Sequence, residues 1–187
     1  RKIRMTQIKI LSLLVVTFVL FVQPSISVGE SLTISFKNLK SIPSDNLLII
    51  DTRSKIKYLL GHIPKAIHLG KWQDFTQEVK GVRGLLIKNP KFIIDKFNSF
   101  GIHPKKNIVI YGDPDDPWRT DGRFFWMFER FGFNQVTIYE GGLKNWKKSG
   151  GKIEFGRRKV LAKPLLTAAD IRLNDEVSAE QQWILER

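Results

Sequence analysis

The sequence predicts an α/β fold, a mainly parallel sheet with helices on both faces, and three observations point there. Apolar-dominated runs recur at Leu47-Leu48-Ile49-Ile50, Asn107-Ile108-Val109-Ile110-Tyr111 and Gln135-Val136-Thr137-Ile138-Tyr139. The first two, short and continuous, suit strands covered on both sides, as in parallel sheets, and the third reads as a further strand. Each run ends in an acid or a glycine: Asp51, then Gly112-Asp113, then Glu140-Gly141-Gly142. Between the runs lie segments with helical spacing, Asn89 to Phe100 and Arg123 to Phe131. Strand, helix, strand, helix implies crossover connections and a parallel sheet. In such sheets ligands sit beyond the carboxyl ends of the strands, so the segment after Tyr111 is where a site is expected.

In chain order, residues 1–29 read as a secretory signal peptide. They have a basic start (Arg1, Lys2, Arg4, Lys9), an apolar run from Ile10 to Val22, then Gln23-Pro24 and the small stretch Ser25-Ile26-Ser27. The run is short for a bilayer span, so contact with a membrane is expected only if the signal stays uncleaved, and the location expected is periplasmic or secreted. Residues 30–153 hold the alternating pattern and form the predicted domain. Residues 154–164 are basic and aperiodic and read as a linker. Residues 165–187 read as the truncated start of a possible second domain, with a capped helix beginning near Leu166-Thr167-Ala168-Ala169-Asp170-Ile171 and a strand at Trp183-Ile184-Leu185. Leu48 to Arg53 and Trp183 to Arg187 both run apolar, acid, Arg, a faint repeat that needs a one-residue slip.

Composition bounds the function classes. Of 187 residues 42% are hydrophobic and 26% charged, an ordinary globular balance with enough apolar material for one core. The formal net charge of +13 suits an anionic partner. The basic residues are interspersed with acids and carry no RNA or helix-turn-helix motif, so nucleic acid is not expected as a partner. The sequence contains no cysteine. Even an oxidising compartment would give this chain no disulfide, and packing alone must hold it together.

Three blocks belong together: Leu48-Ile49-Ile50-Asp51-Thr52-Arg53 with Tyr58 and Gly61-His62-Ile63-Pro64-Lys65-Ala66; Ile108-Val109-Ile110-Tyr111 with its loop; and Tyr139-Glu140-Gly141-Gly142-Leu143-Lys144-Asn145-Trp146 with Gly150. In that order and spacing the chain resembles a rhodanese domain from Leu32 to Ile153. It is most similar to the N-terminal domain of two-domain thiosulfate or 3-mercaptopyruvate sulfurtransferases, through the aromatic helix Arg123-Phe124-Phe125-Trp126-Met127-Phe128-Glu129-Arg130-Phe131-Gly132. The resemblance implies a rhodanese-like sheet of about five strands. It also implies a first domain that is usually non-catalytic, and a partner that is the second rhodanese domain of the same parent chain. Asp51, Arg53, His62, Arg123, Gly141, Gly142 and Trp146 fall on the family's structural motif. Lys65 stands where a glycine is usual, which bears on the tightness of that turn.

The residues carry bland readings beside the functional ones. Asp51 and Arg53 at a strand end read as a buried ion-pair strut rather than a catalytic pair. His62 reads as a loop residue rather than a general base. Phe124, Phe125, Trp126, Phe128 and Phe131 read as core, not a ligand box, and Trp146 as core packed on the sheet.

In active members the resemblance puts a cysteine at the end of the second run, its thiolate cradled by backbone N–H groups. Here that position is Gly112, so no catalytic residue is expected. The loop Asp113, Pro114, Asp115, Asp116, Pro117, Trp118, Arg119 reads as a degenerate active-site loop. Two prolines remove amide donors, and the acids disfavour anions, leaving at most weak anion binding. The acids lack the full calcium-loop pattern, and neither a metal nor a cofactor is expected. Thr120 has no obvious base beside it in sequence. The alternative from another class is a stand-alone periplasmic binding or scaffold module without a sulfurtransferase role.

Overall fold

A computed structural model describes residues 31–158 and 166–177. The expected signal peptide, part of the expected linker and the strand at Trp183-Ile184-Leu185 lie outside the described residues.

The elements in chain order are β1 (Thr33–Ile34), α1 (Phe36–Ser41), β2 (Leu47–Asp51), α2 (Lys55–Leu59), β3 (Ile67–His68), β4 (Thr76–Val79), β5 (Val82–Leu86), α3 (Pro90–Ser99), β6 (Asn107–Tyr111), α4 (Thr120–Arg130), β7 (Val136–Tyr139) and α5 (Gly142–Lys148). Five strands form one sheet in the order β1-β7-β6-β2-β3, and every neighbouring pair is parallel. The register sets Asp51 beside Tyr111 and Ile110 beside Ile138.

Side-chain alternation then sends each strand's apolar residues to opposite faces. Leu48, Ile50, Ile108, Ile110 and Val136 pack with Phe97 of α3 and Phe124 and Phe128 of α4. Ile49, Val109, Tyr111 and Tyr139 pack with Leu39 of α1 and Leu143 and Trp146 of α5. Helices cover both faces, as the unbroken apolar runs predict. Helix starts follow local capping. Ser35, Ser54 and Asn89 each accept an amide N–H from three residues on, and Pro90 opens α3 where its missing N–H costs nothing.

Several features escape the pattern. Strands β1 and β3 are two residues each, too short to carry a period. A separate antiparallel hairpin, β4 with β5, turns at Lys80 and Gly81, whose φ values are +50° and +81°; Lys is an unusual occupant there, so the turn carried little signal. Helix α4 begins at Thr120, three residues earlier than the spacing suggests. Trp126 corrects the core expectation: it is only half-buried and donates its indole N–H to Val177 O at 2.7 Å, whereas Phe124 and Phe128 are fully enclosed.

Residues 154–158, expected within a linker, are bonded to the domain. Glu154 exchanges backbone hydrogen bonds with His62, and Gly156 N–H donates to Leu59 O. The 166–177 stretch also lies against it. Leu166 is buried in the α3/α4 core, and its backbone N–H and C=O are both bonded by the Asn98 amide, at 2.6 and 3.1 Å. The helix expected near Leu166 is a single 3₁₀ turn at Ala168–Asp170.

Candidate functional site

The sheet order places β2 between β3 and β6, so the connections leaving β2 and β6 diverge and open a crevice beyond their carboxyl ends. Asp51, Thr52 and Arg53 reach it from β2, and Tyr111, Gly112 and Asp113 from β6. At its base lies a buried polar network. The Arg53 guanidinium forks onto Asp51, with Nε 3.0 Å from Oδ1 and Nη2 2.6 Å from Oδ2, and donates to Gly61 O at 2.7 Å. Tyr111 donates its hydroxyl to Asp51 Oδ2 at 2.6 Å and accepts from the Ile63 N–H at 3.1 Å. Burial, reinforced by the Asp51 charge, pushes the Tyr111 phenol far above its ordinary range, so it stays a protonated donor. Asp51 and Arg53 therefore meet as a buried ion pair that ties β2 to the 61–63 turn.

His62 sits outside the crevice. It is buried, its Nδ1 lies 2.9 Å from Tyr58 O, and its ring stacks on Tyr58 at 4.1 Å between centroids. Three residues on, Lys65 adopts φ +66° where a glycine would be relaxed, and its N–H is taken by Glu154 Oε2 at 2.9 Å. The turn thus keeps its shape with a non-glycine residue.

The loop after β6 folds around its own carboxylates. Each non-proline amide from Asp115 to Thr120 donates within the loop: Asp115 to Asp113 Oδ1 (3.4 Å), Asp116 to Asp113 O (3.0 Å), Trp118 to Asp116 Oδ1 (3.0 Å), Arg119 to Asp116 O (3.1 Å) and Thr120 to Asp116 Oδ2 (2.9 Å). Pro114 and Pro117 supply none. The amides from Asp115 to Thr120 are thereby engaged within the loop rather than open to an external anion. Burial works against ionisation of Asp116, but the Thr120 hydroxyl and these amides prevail and hold its carboxyl below the usual range.

The acids expected to disfavour anions are thus unequally placed. Asp116 is turned onto amides, and Asp113 pairs with Lys57, whose hydrogen bond lowers its pKa. The same geometry corrects the reading of Thr120, whose hydroxyl lies 2.5 Å from Asp116 Oδ2. That contact closes the loop and offers only a weakly basic carboxylate. Arg119, at φ +44°, pairs with Asp121, while the exposed Trp118 carries the Arg123 guanidinium over its ring at 5.6 Å. Among the described residues no three His, Cys, Asp or Glu side chains gather as metal ligands would.

Gly112 is buried at the end of β6. A Cβ there would meet Thr52 Oγ1 at 3.0 Å and Asp121 Cγ at 3.2 Å. Beside it, Gly141 and Gly142 have φ +74° and +54° and bring the start of α5 against the loop. Between loop and helix lies a cleft of about 460 Å³ lined by Arg53, Lys57, Gly112, Asp113, Pro114 and Asp115 and, from α5, by Leu143, Lys144 and Lys147. Lys57 and the α5 lysines were not singled out from sequence. Their signal was the i, i+3 spacing of Lys144 and Lys147 on a helix opened by Gly141-Gly142. Trp146 lies behind this wall, buried against Phe36 and Tyr139, with its indole N–H on Lys152 O at 2.6 Å.

Known proteins match the chain at the level of family, sequence and fold. The family model described as Rhodanese-like domain matches residues 35–149. A thiosulfate sulfurtransferase of Pseudomonas aeruginosa is 27% identical over 141 residues, covering 75% of this chain and 49% of the relative. A putative thiosulfate sulfurtransferase, SseB, of Mycobacterium tuberculosis is 26% identical over 151 residues, covering 75% and 50%. The chain spans about half the length of these curated relatives. Among solved structures, SseA from Escherichia coli, described as a 3-mercaptopyruvate sulfotransferase, superposes with a TM-score of 0.69 at 20% identity, covering 83% of this chain and 61% of that one. At that identity the likeness is one of fold.

Proposed function

The chain belongs to the rhodanese-like domain family, and from that premise we propose that it has no sulfur-transfer chemistry of its own and serves as the non-catalytic half of an exported thiosulfate/3-mercaptopyruvate sulfurtransferase-like protein. The observation that carries this reading is at the end of β6. Glycine stands where the family resemblance places the sulfur nucleophile, and no cysteine exists elsewhere in the sequence to replace it. A persulfide must form on sulfur, so the chemistry cannot begin here. The loop supports the same reading independently, because its amides from Asp115 to Thr120 are already bonded to Asp113 and Asp116. The role of this half is then to pack against a catalytic rhodanese domain and help shape the site there. Export rests on the basic and apolar pattern of residues 1–29.

The decisive experiment assays the 187-residue chain for thiosulfate:cyanide sulfur transfer, alone and within the parent protein from the complete reading frame. The expected result is no turnover by the chain, and turnover by the parent that disappears when a cysteine beyond Arg187 is replaced. Turnover by the chain alone would overturn the reading. A complete reading frame without such a cysteine would instead favour the binding or scaffold module.

A further inference from the structure

We infer that the cleft between the 113–115 loop and α5 binds a small organic phosphate, held by the lysine ammonium groups of α5 rather than by backbone amides. The inference rests on the reading above only in taking the loop as chemically silent. The cleft's volume of about 460 Å³ lies within the range typical of small-molecule sites. It sits at the point where the sheet order reverses, between the ends of β2 and β6.

The charges around it are unequally engaged. Arg53 is forked onto Asp51, and Lys57 is paired with Asp113. Lys144 and Lys147, one turn apart on α5, have no carboxylate partner among the described residues, and Asp115 is the one lining acid not in an ion pair there.

This arrangement selects among anions. A carboxylate is read best by the planar fork of an arginine. The single arginine lining the cleft has its fork committed to Asp51. The loop amides from Asp115 to Thr120 are committed as well. What remains is a pair of ammonium point charges with rotatable donors. These match a group carrying close to two negative charges on three acceptor oxygens, which is a phosphate monoester. Leu143 and Pro114 give the cleft an apolar wall, so the favoured ligand carries an apolar body. Inorganic phosphate, sulfate and thiosulfate lack that body and would bind by charge alone.

The test is a titration of the ¹⁵N-labelled 187-residue chain with phenyl phosphate, read by amide NMR at an ionic strength of about 0.02 M, where surface charges are least screened. Saturable shifts are expected at Gly112, Leu143, Lys144 and Lys147. The K144Q/K147Q double variant should weaken binding by about fivefold or more. K148Q, on the same helix but outside the cleft, should leave binding unchanged. Phenylacetate and inorganic phosphate should each bind more weakly than phenyl phosphate. The inference is overturned by shifts that do not saturate, by equal binding to the double variant, or by dominant shifts at the Trp118 and Thr120 amides, which would mean that the anion displaces Asp116. Sulfur transfer by the chain would sink the functional reading and leave this titration standing, so the two failures are separable.

Discussion

Gly142 rests against the carbonyl oxygen of Gly112: a Cβ at residue 142 would lie 2.2 Å from it. The first turn of α5 and the end of β6 are therefore in backbone contact, which sets α5 against the loop with which it lines the cleft. Gly142→Ala combines a left-handed φ of +54° with a clash against main chain that cannot swing away. We expect a loss of about 3 kcal/mol or more in urea melts. Gly150→Ala is the control. It shares a positive φ but meets nothing within 4 Å, and should cost only about 1 kcal/mol. Equal losses would show that conformation, not contact, governs the position.

The two tryptophans should separate in the same measurement. Trp146 is enclosed by Phe36 and Tyr139 and anchored through its N–H, so Trp146→Ala should cost about 3–5 kcal/mol. Trp126 is half-buried, with rim contacts to Trp72 and a bond to Val177 O. Its replacement by Ala should cost roughly half as much. A loss below about 1 kcal/mol at Trp146 would contradict the packing described.

The sequence made the long buried strands legible because Leu48, Ile50, Ile108 and Ile110 on one face and Ile49, Val109 and Tyr111 on the other leave no polar gap. Gly141-Gly142 and Trp146 likewise announced a sharp turn and a packed helix. The hairpin at Lys80-Gly81 gave little warning, since only tertiary context tolerates Lys in that conformation. At the loop, composition revealed acids and prolines but not their direction. Asp113, Asp115 and Asp116 look alike in sequence, yet one pairs with Lys57, one is exposed and one bonds the amides before α4. The lining lysines were hidden for a related reason, because which side of a helix faces a loop depends on how α5 docks. The docking of the 154–158 and 166–177 stretches onto the domain was not legible because isolated backbone pairs and a single buried Leu166 produce no period.

Asp116 makes a pH prediction. Its folded-state pKa lies below its unfolded value, because hydrogen bonds from Thr120 and Trp118 outweigh burial. A depressed carboxylate contributes stability that is fully present above the ordinary pKa near 4 and is lost as pH falls through the folded value. Asp116→Ala should therefore be less stable than the wild type at pH 6, by about 0.5–2 kcal/mol as for a lost helix-capping side chain. The gap should narrow below about pH 4. Chemical denaturation at a series of pH values checks both. A gap that widened on acidification would mean that Asp116 is not the ionised acceptor closing the loop.

The loop's capacity for chemistry is tested by Gly112→Cys. The new Cβ would lie 3.0 Å from Thr52 Oγ1 and 3.1 Å from Asp121 Cβ, so the residue fits with slight crowding, at a cost of about 1 kcal/mol. Its thiol would face Asp121 and find the Trp118, Arg119 and Thr120 amides already bonded. A nearby carboxylate raises a thiol pKa, and the donors that would lower it are engaged, so alkylation by iodoacetamide should show a midpoint above about 8.5. Asp121→Asn in the same background should move the midpoint down. Turnover of thiosulfate should remain more than about tenfold below that of an active single-domain rhodanese, a barrier difference of over about 1.4 kcal/mol. Adding Asp116→Gly should help more than the cysteine alone, because it frees the amides that a thiolate and an anionic donor both need. A midpoint below about 7 together with rapid turnover in the single variant would mean that the amides release Asp116 readily and that only the nucleophile is missing.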